Sequence, residues 1–131
     1  MKEKISYSEY YYLIDALTNK INNNLDLTKI KFIYTFMRGG LPIAVHLSHF
    51  LNIEMFTDES NIDFYSQSCG EVLVVDDIAD TGKTLDGFQK IFPTATLFYK
   101  PRSIVTPTFY IKETTNWIVF PWEKFDEVPN R

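Results

Sequence analysis

The residues that could do chemistry are concentrated in one short run, Asp76-Asp77-Ile78-Ala79-Asp80-Thr81-Gly82-Lys83-Thr84. Paired carboxylates suit sugar hydroxyls or a hydrated Mg²⁺, because both favour hard oxygen donors. The small and hydroxyl residues after them suit a phosphate, since a turn entering a helix directs several backbone amides outward and such a nest favours an anion. An acidic site beside an anion site fits a phosphorylated sugar, and a ribose 5-phosphate satisfies both. A P-loop would need a glycine five positions before Gly82-Lys83-Thr84, and Asp77 stands there. A phosphate-accepting receiver domain carries its paired aspartates near its start, but only about half of this chain lies beyond Asp76. Two aspartates can also simply end a strand in solvent. The Asp-Thr-Gly-Lys-Thr that follows argues against that plain reading.

Presenting these groups requires a strand before them and a helix after them. Glu71-Val72-Leu73-Val74-Val75 is a short apolar, β-branched run of the kind found in central parallel strands, and it delivers Asp76 and Asp77 to its carboxyl end. A helix is expected over 84–91, stopped by Pro93. Earlier in the chain, Ser6 and Glu9 form a capping-box pattern, and Tyr10, Leu13, Ile14, Leu17 and Ile21 repeat at helical spacing. Asn22-Asn23-Asn24 ends that helix. Residues 30–36 read as a strand running into the sharp turn Met37-Arg38-Gly39-Gly40, and Pro42 opens a second helix over 42–51. A short strand at 53–56, a polar loop at 57–70 and a strand at 96–99 complete the pattern. This alternation predicts an α/β fold with a mostly parallel central sheet flanked by helices and ligands at the carboxyl ends of its strands.

Composition narrows the setting. With 131 residues, 45% of them hydrophobic and 16% aromatic, the chain suits one domain spanning 1–131. A net charge of −4 without a basic stripe argues against nucleic acid as the primary partner. The single cysteine, Cys69, cannot form an intrachain disulfide, and Met1-Lys2-Glu3-Lys4 lacks the apolar run of a signal peptide, so a cytoplasmic setting is expected. Arg38, Gly39, Gly40 and Pro42 interrupt the longest apolar stretch, which excludes a membrane span there. His46 and His49 are spaced for one helix face but lack a third ligand, so packing or surface roles are expected. Cys69 reads as a passive thiol. Tyr10-Tyr11-Tyr12 must divide between core and surface, and Arg102 either extends the phosphate field or is an exposed arginine.

The run from Val74 to Thr84 resembles the PRPP-binding motif of the type I phosphoribosyltransferases, where PRPP is phosphoribosyl pyrophosphate. Met37-Arg38-Gly39-Gly40-Leu41 resembles that family's pyrophosphate loop. Lys100-Pro101, with Trp117-Ile118-Val119-Phe120-Pro121-Trp122, resembles the base-binding end of the bacterial xanthine-guanine enzymes. The resemblance implies the family's fold with a small C-terminal hood, and transfer of phosphoribosyl from PRPP to a 6-oxopurine, guanine or hypoxanthine, in purine salvage. It implies that Asp76 and Asp77 hold the ribose hydroxyls, with Asp77 nearest a Mg²⁺, and that Thr81, Gly82, Lys83 and Thr84 cradle the 5-phosphate, Lys83 as an auxiliary. Asp80 becomes the candidate acid/base near N7 of the purine. Arg38 and Gly39 would meet the pyrophosphate, Lys100 the 6-oxo group, Trp117 the ring face, and the Ile118 backbone the opposite edge. A cis Met37-Arg38 peptide and a homo-oligomer are implied as well. The chain departs from the family in its short 57–70 loop, in Val119 and in Lys83. Rival readings are a PRPP- or nucleotide-sensing protein without turnover, and a phosphoribosyltransferase with another acceptor.

Overall fold

The structure, a computed structural model, describes residues 1–59 and 71–124. Most of the loop expected at 57–70, with its Tyr65-Ser66 and Cys69, and the tail at 128–131 lie outside the described residues.

The Ser6–Glu9 capping box forms as expected. The Ser6 hydroxyl accepts from the Glu9 amide and the Glu9 carboxylate from the Ser6 amide, both at 3.1 Å. It starts helix α1, Tyr7–Asn24, whose Tyr10, Leu13, Ile14, Leu17 and Ile21 are buried. Strand β2, Ile30–Thr35, lies between β3, Glu54–Phe56, and β4, Glu71–Val75. With β6, Thr94–Ala95, they form a four-stranded sheet in the order β3-β2-β4-β6, and every ladder in it is parallel. Helix α2, Leu41–Leu51, joins β2 to β3. The two-residue period of β4 divides its side chains between two cores. Leu73 and Val75 pack with Ile14, Leu17, Ile43 and Leu47 of the helices, whereas Val72 and Val74 pack with Tyr34, Leu85 and Phe92 on the other face.

The strand expected at 96–99 is displaced and divided. β6 is followed by β7, Phe98–Tyr99, in a second sheet with β5, Ile78–Ala79, and β8, Lys112–Glu113, in the order β5-β7-β8. Between them, the amides of Leu97 and Phe98 both donate to the Asp77 carbonyl, so the chain changes sheets directly behind the acidic pair. Helix α3, Lys83–Gln89, ends before the expected residue 91, where the amides of Ile91 and Phe92 both turn back to the Phe88 carbonyl. One element was not anticipated. β1, Lys2–Lys4, pairs in parallel with β9, Trp117–Val119, so the hood-like piece draws on both ends of the described chain. Its polar three-residue sequence carries no strand periodicity, and the ladder and buried Ile5 fix it instead. No helix among the described residues is long and apolar enough to cross a membrane.

Candidate active site

The ends of β2 and β4 are fastened together by the Thr35 hydroxyl, which donates to the Val75 carbonyl at 2.9 Å. The turn after β2 contains a cis Met37-Arg38 peptide, as the resemblance implied. It then lies against the acidic strand end so closely that only glycine fits. A β-carbon at Gly39 would come 2.8 Å from Asp77 Oδ2, and one at Gly40 would meet the Thr35 hydroxyl and stand 3.2 Å from Asp76 Cα. Arg38 sits at the exposed start of this turn.

Asp76 and Asp77 are buried, at 7% and 1% exposure. Carboxylates in that position need donors. Asp76 Oδ1 accepts from the Asp77 amide and Asp77 Oδ1 from the Ile78 amide, each at 2.9 Å. Mg²⁺ characteristically takes one or two carboxylates together with water and ligand phosphates. As adjacent carboxylates the pair has the chemistry such an ion takes, and Asp77 would be the one to hold it. Among the described residues no three His, Cys, Asp or Glu side chains gather into a metal cluster, so the protein offers part of a coordination shell and a phosphorylated ligand would have to complete it.

The loop expected to hold an anion follows. Gly82 has φ of 82°, the left-handed region that favours glycine. A β-carbon there would meet the Ser103 hydroxyl and the Ile104 nitrogen. Segment 103–105 therefore braces the loop, and the Ile104 amide donates to the Thr81 carbonyl at 2.9 Å. A small pocket of about 60 Å³ opens here, lined by Asp76, Asp80, Thr81, Gly82 and Thr84 among others. α3 has only seven residues, so attraction for an anion rests on the loop amides and hydroxyls more than on a helix dipole. Lys83 is exposed. A larger, mostly apolar cavity of about 510 Å³, lined by Tyr12, Leu13, Phe98 and Ile111, lies elsewhere and contains none of these groups.

Asp80 stands at the rim with two cations on it. Lys100, buried, places Nζ 3.3 Å from Asp80 Oδ1, and Arg102 donates to the same oxygen through Nε at 2.9 Å and through Nη2. Burial alone would raise the Asp80 pKa, but the Arg102 hydrogen bond and the Lys100 and Arg102 charges outweigh it and hold the carboxyl below the usual range. Asp80 is thus a carboxylate at neutral pH. The sequence left Arg102 undecided, because its place two residues after Lys100 in a loop gives no periodicity from which to infer its direction.

On β9, Trp117 keeps 37% of its surface while Ile118 and Val119, and Phe120 just after the strand, are buried. Trp117 is therefore no ordinary core residue. The Trp117 amide donates to the Met1 carbonyl and the Val119 carbonyl accepts from the Ile5 amide. Alternate residues of a parallel ladder turn their backbone groups to opposite edges, so those of Ile118 point away from β1. His46 does not gather a metal: its Nδ1 lies 2.5 Å from the hydroxyl of buried Tyr10, while Tyr11 and Tyr12 are exposed.

No family model matches the chain. It is 39% identical over 57 residues to a xanthine-guanine phosphoribosyltransferase of Cereibacter sphaeroides, a match covering 40% of the chain and 34% of that relative. It is 28% identical over 119 residues to an enzyme of the same name from Desulfotalea psychrophila, covering 76% of the chain and 74% of the relative. Among solved structures, a purine phosphoribosyltransferase from Pyrococcus horikoshii superposes with a TM-score of 0.77 at 29% identity, with 99% of both chains covered.

Proposed function

We propose, for a chain that is a type I phosphoribosyltransferase in fold and sequence kinship, that it transfers phosphoribosyl from PRPP to a 6-oxopurine and releases pyrophosphate. The observation that carries this reading is the contact of Lys100 with Asp80 at 3.3 Å beside the anion loop. A 6-oxopurine presents its oxo group and N7 next to one another on one edge. Lys100 donates to the oxo group and Asp80 accepts at N7, so a neighbouring cation and carboxylate read both. Trp117 covers the ring face and the Ile118 backbone meets the far edge.

In the reaction the C1–oxygen bond to pyrophosphate breaks, its electron pair leaving with pyrophosphate, and the base nitrogen forms the new bond to C1. The base gives up a proton to Asp80. Arg38 and the Gly39 amide hold the leaving pyrophosphate as its charge grows. Asp76 and Asp77 bind the ribose hydroxyls, while Thr81, Gly82 and Thr84 hold the 5-phosphate with Lys83 nearby. Mg²⁺, held by Asp77 and the pyrophosphate, would supply charge neutralisation. Fixing donor and acceptor in one orientation supplies much of the acceleration. A cytoplasmic setting and self-association belong to the same proposal, and light scattering on the purified chain tests the latter.

The deciding experiment is a pyrophosphate-release assay with PRPP, Mg²⁺ and guanine, hypoxanthine, xanthine, adenine or orotate in turn. Release dependent on guanine or hypoxanthine is expected. PRPP binding without release with any base would overturn the reading.

A further inference from the structure

The hydrogen bonds on Asp80 are one-sided. Arg102 Nε and Nη2 and Lys100 Nζ all converge on Oδ1, and no described residue donates to Oδ2. The side chain nevertheless keeps 20% of its surface. Arg102 comes from the loop that braces the anion site: the Lys100 amide donates to the Ala79 carbonyl and the Ile104 amide to the Thr81 carbonyl, each at 2.9 Å. Its backbone is therefore fixed relative to Asp80 even though its side chain is 63% exposed. The other charged groups nearby are otherwise engaged or directed: Asp76 and Asp77 bond to the Asp77 and Ile78 amides, and Lys83 is exposed on α3.

We infer that Arg102 is a positioning residue. It anchors Asp80 Oδ1 so that Oδ2 faces the incoming base, and it remains as the counter-ion of Asp80 when Lys100 turns to the oxo group. The inference rests on the proposed reaction. The Lys100 contact with Asp80, 3.3 Å, is longer than the 2.9 Å bond from Arg102 Nε, so Lys100 is the partner more readily turned toward a ligand oxygen. Arg102 brings two donors of one rigid guanidinium, Nε and Nη2, to the same oxygen, where Lys100 brings a single ammonium. Without Arg102 the carboxylate would turn to Lys100, and the two would withdraw from the base together. This is the acid/base group and its orienter, with an arginine in the orienting role.

A double-mutant cycle tests it, with turnover and the KM for PRPP measured in the wild type, Arg102→Ala, Asp80→Asn and the double variant. Arg102→Ala is expected to lower kcat about tenfold, with the KM for PRPP changed less than about twofold, and to move the acid limb of kcat/KM for the base to higher pH. Arg102→Lys restores part of the loss, and Arg102→Ala causes no further loss in the Asp80→Asn background. Equal losses in both backgrounds, or a loss carried by the KM for PRPP, would overturn the inference and assign Arg102 to structure or to phosphate. If the wild type turns over no base, the proposed reaction fails. The Asp80 carboxyl resonance followed against pH in wild type and Arg102→Ala tests the anchor separately: an upward shift in the variant is expected, and an unchanged titration ends the inference even where the wild type turns over a base.

Discussion

Gly39 lies so close to Asp77 that a β-carbon on it would come 2.8 Å from Asp77 Oδ2. That oxygen cannot give way freely, because the other carboxylate oxygen is tied to the Ile78 amide at 2.9 Å. Gly39→Ala is therefore expected to push the turn and the carboxylate proposed for Mg²⁺ apart, at some cost in stability. A fall of about tenfold or more in kcat/KM for PRPP, equivalent to about 1.4 kcal/mol, should appear together with a lower melting temperature. An alanine variant with full activity at the same Mg²⁺ concentration would detach Gly39 and Asp77 from the chemistry.

Trp117 gives a separable effect, because the residue is 37% exposed while its strand neighbour Ile118 is buried. Loss of an aromatic stack on a base costs about 1–3 kcal/mol. Trp117→Ala should weaken guanine or nucleotide binding by that amount, with PRPP binding and thermal stability nearly unchanged. Calorimetric titration with each ligand checks it. Equal weakening of PRPP would mean that the ring supports the fold and does not read the base.

Much of the frame around this candidate site was legible in the sequence because its parts obey local rules. The strand run 71–75 came through with its bounds intact, since a central parallel strand is apolar on both faces and leaves nothing ambiguous. The capping box fixed the start of α1 for a similar reason. Three features depended on contacts distant in sequence and were not legible. β1 exists only because β9 lies beside it. The break between β6 and β7 follows from the Asp77 carbonyl drawing in the amides of Leu97 and Phe98. The third is the direction of Arg102, which depends on how the 100–105 loop folds back over Ala79 and Thr81.

Asp80 also carries a pH signature with a defined sign. Its folded pKa lies below the ordinary carboxylate value of 3.8, as Arg102 and Lys100 outweigh burial. The unfolded chain therefore binds the proton more readily, so the stabilising contribution is complete above the unfolded value and is lost as pH falls through the folded one. Denaturation between about pH 5 and pH 2 should show a steeper loss of stability in the wild type than in Asp80→Asn, which has no charge to lose. At neutral pH the same variant is expected to bind PRPP normally and lose most turnover, as the proton acceptor is gone while the anion loop stays. Near-normal turnover would remove Asp80 from the acid/base role, and parallel acid-denaturation curves would contradict its ion pairs.

Two glycines of the same small region should respond in opposite directions to alanine. Gly82 has φ of 82° and the loop 103–105 packed where a β-carbon would go, with the Ile104 nitrogen at 2.9 Å. A left-handed conformation costs an ordinary residue about 1–2 kcal/mol, before any steric displacement. Gly82→Ala should lower the melting temperature by several degrees and weaken ribose 5-phosphate binding, since the strain falls on the amides proposed to hold the phosphate. Gly87, within α3, has nothing within 4 Å of a built β-carbon. Gly87→Ala should instead raise stability by about 0.5–1 kcal/mol through the gain in helix propensity, with ribose 5-phosphate binding unchanged. Thermal melts of the two variants with and without ribose 5-phosphate provide the comparison. If Gly82→Ala melted like the wild type and bound the sugar phosphate as well, the bracing of the anion loop by residues 103–105 would have no functional consequence.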